Sequence, residues 1–144
     1  MIFVRILVAR TLTAMALLAS PGAPLRAQAA KLVIAAMLDG GSEAIPGDAD
    51  GSGNFQAEFD PASGEVCYRF VLARVARPTL IQIHRGATGS NGPAVIFLEP
   101  GSDVCVEADP AVVAAIRANP EGHYVNFYNR EFPTGAVRGQ LAAR

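Results

Sequence analysis

Few side chains in this sequence could do chemistry. Two histidines, His84 and His123, and two cysteines, Cys67 and Cys105, are its soft ligands. Redox work at copper needs several imidazole nitrogens, and zinc takes three or four ligands from Cys, His, Asp and Glu. Two imidazoles fall short of either, and the cysteines form no CxxC pair. No metal site and no cofactor is therefore assigned, with His84 as a weak metal candidate. For nucleophilic catalysis, Ser42, Ser52, Ser63, Ser90 and Ser102 lack a G-x-S-x-G elbow, so no catalytic residue is assigned. Asp48 and Asp50 beside Gly51 and Gly53 offer oxygen ligands, as do Glu99, Asp103, Glu107 and Asp109. Neither group has the spacing of an EF-hand loop, and solvated turns account for both. Arg138 and Gln140 occupy alternate positions of one extended segment and share a face. The guanidinium is either an anion or partner site, or a set of five donors tying loop carbonyls together. The glycine-rich stretch Gly86 to Pro93 supplies many carbonyls in need of donors, which favours the architectural role.

The elements that must hold these residues are short strands. Lys31 to Leu38 is a continuous apolar run of the length of a buried strand, closed by the turn formers Asp39-Gly40-Gly41-Ser42. From Gly51 to Phe59 the pattern alternates, with Phe55, Ala57 and Phe59 against Asn54, Gln56 and Glu58. A Pro- and Gly-bearing hairpin turn, residues 60–64, leads to Val66, Tyr68, Phe70 and Leu72 alternating with Cys67, Arg69 and Val71. Thr79 to Arg85, Ala94 to Leu98, Val104 to Glu107, His123 to Tyr128 and Ala136 to Leu141 read as further strands. Asp109 and Pro110 open one short helix as N-cap and first residue, and Pro120 ends it near Asn119. Ten prolines and fourteen glycines in 144 residues exclude a coiled coil or helical bundle. The expected fold is mainly β, an antiparallel sandwich or barrel, immunoglobulin-like or superoxide-dismutase-like, with one short helix.

Residues 1–29 read as an export signal. Arg5 and Arg10 form a positive n-region, Thr11 to Ala19 is apolar, and Ala27-Gln28-Ala29 is a small-x-small cleavage pattern with the cut after Ala29. The apolar run is shorter than the roughly 20 residues of a spanning helix. The domain would then be residues 30–144. Loss of Arg5, Arg10 and Arg26, with no acid lost, takes the formal charge from −1 to −4. A near-neutral balance without basic clusters leaves no electrostatic footprint for nucleic acid. An even cysteine count in an exported chain points to a Cys67–Cys105 disulfide, with two buried thiols as the other reading.

Three segments together resemble the CHRD domain, the module named after chordin. They are Gly64-Glu65-Val66-Cys67-Tyr68, then Ile83-His84-Arg85-Gly86-Ala87-Thr88-Gly89-Ser90-Asn91-Gly92-Pro93, and finally Tyr124-Val125-Asn126 with Pro133-Thr134-Gly135-Ala136-Val137-Arg138-Gly139-Gln140-Leu141. The resemblance covers about residues 31 to 143 and implies a small, mostly β domain of exported and extracellular proteins with no established catalytic activity. Family members commonly read His-Ile-His-x-Gly at the first histidine motif and Tyr-Val-Asn-Val-His-Thr at the second. This chain has Gln82-Ile83-His84 and Tyr124-Val125-Asn126-Phe127-Tyr128-Asn129 instead. Gln82 and His84 share one strand face, as do Asn126 and Tyr128, so the family's imidazole cluster is kept as a polar patch that binds transition metals poorly. His123 is one residue out of phase with Asn126 and Tyr128 and should leave the opposite face.

The family's His-x-His also resembles the metal strand of copper/zinc superoxide dismutases, and Gly135-Ala136-Val137-Arg138-Gly139 is loosely similar to a segment of them. The expected function is an exported, non-catalytic binding or structural module, periplasmic or secreted, whose partner is an extracellular or envelope protein or glycan. No nucleic acid and no membrane span after signal removal are expected. The alternative is a copper- or zinc-binding or redox protein of the envelope, which the replacements at Gln82 and Tyr128 weaken.

Overall fold

The computed structural model describes residues 30–144, so the expected signal and its cleavage site at Ala29 lie outside the described residues. Among the described residues there are nine strands: β1 (Leu32–Asp39), β2 (Ser52–Phe59), β3 (Glu65–Ala73), β4 (Leu80–Arg85), β5 (Ala94–Leu98), β6 (Val104–Glu107), β7 (His123–Tyr128), β8 (Val137–Gln140) and β9 (Ala142–Ala143). They form one antiparallel sheet in the order β5-β4-β7-β8-β1-β2-β3-β6, with β9 paired to β1, curled into a nearly closed barrel. This meets the expected mainly β fold with one helix.

Alternation decides which side of each strand enters the barrel. Phe55, Ala57 and Phe59 of β2, Ile81 and Ile83 of β4, and Val125 and Phe127 of β7 are all essentially inaccessible. Phe127 stands edge-on to both Phe55 and Phe70, at 6.2 and 5.0 Å between ring centroids. The continuous apolar run of β1 is not buried on both faces as its composition suggested. Ile34, Ala36 and Leu38 are buried in the core with Leu32 packed against it, and Met37 between Ala36 and Leu38 is 72% exposed. The run is one side of a curled sheet rather than a central strand between two layers. The final segment also divides at Leu141, into β8 and the short β9, each of which pairs with β1.

The helix α1 (Pro110–Ala118) starts where Asp109 accepts a hydrogen bond from the Ala111 N–H at 2.8 Å and ends at Asn119. It buries Val113 and Ile116 in the core. A short 3-10 turn, Pro120–Gly122, follows and leads directly into β7. Cys67 of β3 and Cys105 of β6 face one another across the ladder and are joined by a disulfide with Cα atoms 4.0 Å apart.

Candidate functional site

The face turned away from the core on β4, β7 and β8 is polar, and register brings its residues together. His84 pairs with Tyr124 and Gln82 with Asn126 across β4 and β7, while Tyr124 pairs with Gln140 and Asn126 with Arg138 across β7 and β8. Val137 and Leu141 enter the core. Arg138 and Gln140 therefore share the outer side with Tyr124, Asn126 and Tyr128. An outer face would ordinarily be wet, yet His84, Tyr124, Asn126 and Arg138 are each 8% exposed or less. The cover comes from two loops, residues 40–51 and 86–93.

His84 is fixed at both ring nitrogens. Nδ1 stands 2.8 Å from the Gly92 carbonyl, which can only accept, so Nδ1 carries the proton. Nε2 then accepts from the Tyr128 hydroxyl at 2.9 Å. The imidazole stacks on Tyr124 with centroids 4.9 Å apart and planes within 7°. The Arg138 guanidinium lies 4.8 Å from the centroid of the same ring. Because β4 and β8 flank β7 on opposite sides, Tyr124 sits between imidazole and guanidinium. Its hydroxyl accepts from the Gly92 N–H at 3.3 Å.

Arg138 uses its fork on the loops. Nε donates to the Ser42 carbonyl. Nη1 donates to the Ser90 carbonyl at 3.2 Å and to Asn91 Oδ1 at 3.1 Å. One side chain thus ties both covering loops to the sheet. Gln140 Nε2 lies 2.8 Å from the Gly86 carbonyl, 2.6 Å from that of Glu121 and 2.8 Å from that of His123, so its two hydrogens serve three backbone acceptors. The carboxyl group of Glu43, from the first loop, has Oε2 3.9 Å from Arg138 Nε and accepting from Asn126 Nδ2 at 3.3 Å.

Burial governs the titrating groups here. It pushes the Glu43 carboxyl up to about 7, against the opposing pull of Arg138 and Asn126. It likewise pushes the Tyr128 hydroxyl to about 12, with Tyr124 and Glu43 adding to the rise. Tyr128 therefore keeps its hydroxyl hydrogen at any ordinary pH.

His84, Asn126, Tyr128, Arg138 and Gln140 all belong to this one cluster. Gln82 stands at its margin, partly exposed and opposite Asn126. His123 leaves the other side of β7, with Nδ1 2.9 Å from the Asn119 carbonyl. Two members went unread in the sequence. Tyr124 was within reach, because it alternates with Asn126 and Tyr128. Glu43 was not, since it is 83 positions from Asn126 in a turn whose folding back no periodicity records. Among the described residues, one group of potential metal ligands clusters, Glu65 with Cys67 and Cys105, and the disulfide removes both thiolates. Asp50 is an exposed turn residue paired loosely with Arg74 at 3.6 Å. Asp48 is instead 8% exposed, its N–H donating to the Ala136 carbonyl at 2.8 Å, which corrects the reading of it as a solvated turn residue.

Comparison with known proteins agrees with the motifs. A family model described as the CHRD domain matches residues 34–141. No curated protein and no solved structure matches the chain.

Proposed function

This chain belongs to the CHRD domain family, and we propose that it is an exported, non-catalytic binding or structural module of the cell envelope or extracellular space. One observation carries the reading. The polar cluster uses most of its hydrogen-bonding groups on the chain itself, with both nitrogens of His84, the amide of Gln140 and three N–H groups of Arg138 bonded to loops and neighbouring strands of the domain. A catalytic or metal-binding histidine needs a free lone pair, and Tyr128 occupies the one on Nε2. The cluster is thus the fastening of the loops, and recognition falls to the loops' outward surfaces on a rigid scaffold. Export is supported by the signal pattern of residues 1–29 and by the disulfide, which suits an oxidising compartment. No helix among the described residues is long and apolar enough to cross a membrane.

The partner would be an envelope or extracellular protein or glycan. The test is to immobilise the disulfide-bonded domain, pass envelope extract and culture fluid over it, and identify what is retained. Retention that disappears when exposed residues of loops 40–51 and 86–93 are replaced supports the module. Turnover of a substrate or stoichiometric copper bound through His84 would overturn it.

A further inference from the structure

Two buried acceptors beneath loop 40–51 lack a donor, and they belong to the two groups of one contact. Asn126 Nδ2 donates to Glu43 Oε2 at 3.3 Å. The remaining oxygens of the same groups, Glu43 Oε1 and Asn126 Oδ1, are buried without a partner. A carboxyl and a carboxamide that share one N–H···O contact can close an eight-membered acid–amide ring through their remaining oxygens. That closure requires a hydrogen between the two leftover oxygens. A carboxylate and a carboxamide oxygen carry none, whereas a carboxylic acid carries one. We propose that Glu43 is held as the neutral acid with its O–H donated to Asn126 Oδ1, a protonated latch that fastens loop 40–51 to the sheet and loosens when the proton is lost.

The surroundings favour the neutral form. The side chain of Glu43 is 3% exposed. Gly135 and Gly47 close over it so tightly that a Cβ on Gly135 would fall 2.6 Å from Oε1 and one on Gly47 2.8 Å from Cγ, which leaves little room there for water. The facing charged and titratable groups are Arg138 from β8, Asp39 at the end of β1, Tyr124 and Tyr128 from β7, and His84 from β4 behind Tyr128. Among the described residues Arg138 is the one cation facing it, and it directs Nε to the Ser42 carbonyl and Nη1 to the second loop rather than pairing closely with the carboxyl, while its Nη2, also buried without a partner, donates to neither leftover oxygen. Asp39 adds like charge. Tyr128 donates its hydrogen to His84, not to Glu43. Desolvation accordingly outweighs the guanidinium and raises the carboxyl from 4.5 to about 7.

The direction of the pH dependence follows. With the loop closed Glu43 binds a proton that it gives up on opening, over the interval between 4.5 and about 7. The opening constant of the loop should rise about tenfold per pH unit across that interval, roughly 300-fold in all, and be level on either side. The latch is tight in acid and loose at and above neutrality. Opening would uncover Asn126 and Arg138 and move the exposed Ile45.

The test uses the disulfide-bonded protein labelled with carbon-13. The Cδ resonance of Glu43, assigned by its disappearance in Glu43→Gln, should inflect near pH 7, and an inflection at 4.5 or below would overturn the proposal. Hydrogen exchange at the Asp48 amide, which bonds the Ala136 carbonyl, reports the opening once the intrinsic pH dependence of exchange is removed. The native protein should show the rise in opening between pH 4.5 and 7.5. Glu43→Gln should show a level, low value, because the carboxamide keeps a donor at every pH. A level native profile, or a Gln variant that opens more readily than the native protein at pH 5 or fails to fold, would count against the latch.

Discussion

Replacing Arg138 by methionine separates an architectural guanidinium from a partner site, because methionine keeps a long stem and loses every donor. Three hydrogen bonds from a charged donor disappear, to Ser42, Ser90 and Asn91. Each contributes about 1.5 to 3 kcal/mol, and the cation over Tyr124 adds about 0.5 to 2. Part of that is recovered. Ser90 is exposed, so its freed carbonyl can turn to water, and the variant no longer buries a charge. The net loss should be about 3 to 5 kcal/mol, the range for removing one partner of a buried ionic network. With a urea slope near 2 kcal/mol/M, the midpoint should fall by about 2 M. Far-ultraviolet circular dichroism against urea measures it, and limited proteolysis should show new cuts in both loops 40–51 and 86–93, not in one alone. Arg138→Lys should lie between, since an ammonium cannot reach the oxygens of two loops as a fork does. A shift of the midpoint by less than about 0.5 M in Arg138→Met, with partner binding lost, would refute the architectural assignment.

The Cys67–Cys105 bridge closes a loop of 38 positions, which the chain-entropy estimate values at roughly 4 kcal/mol. Reduction should lower the thermal midpoint by roughly 10 to 20 °C, and an unchanged midpoint would refute that contribution. Isothermal titration of metal-free protein should show no submicromolar Cu(II) or Zn(II) site, because Tyr128 holds the Nε2 lone pair of His84 and ionises only near 12. Gln82→His combined with Tyr128→His should create or strengthen such a site. The exported protein should begin at Ala30, as mass analysis of its N-terminus would show, and retention of residues 1–29 would make them an anchor instead.

The strands were legible where one side of the alternation is apolar. Phe55, Ala57 and Phe59 against Asn54, Gln56 and Glu58 give β2 its inner face directly, and Asp109-Pro110 with Pro120 brackets α1 closely. The order of strands was not legible, because period-2 patterning says which side faces the core and nothing about which strand lies beside which. In β1 the pattern misled, since Met37 and Ala35 are as apolar as the buried Ile34, Ala36 and Leu38. The site divides in the same way. Asn126 with Tyr128, and Gln82 with His84, follow from spacing within a strand, but their pairing across β4 and β7 needs register. Glu43 needs the course of a loop, which depends on where Ser42 and Asp48 find partners on β8 and its approach, at Arg138 and Ala136.

That dependence explains why a sheet with an ordinary apolar interior carries a second, polar interior on its outside. A strand side bearing His84, Tyr124, Asn126 and Arg138 supplies donors and acceptors that hydrogen bonds within the sheet do not use, and loops rich in glycine supply backbone groups that have no ladder to join. Each lack satisfies the other. Gly92 illustrates it, giving its carbonyl to His84 and its N–H to Tyr124 while its Cα packs where a side chain would strike the backbone of Arg85 at 1.7 Å. Apolar packing gives such loops little to hold, so their positions rest on a few directional bonds from rigid strands. Substitutions in this cluster should therefore move the loops and whatever they recognise, while substitutions at Phe55 or Phe127 should unfold the barrel as a whole.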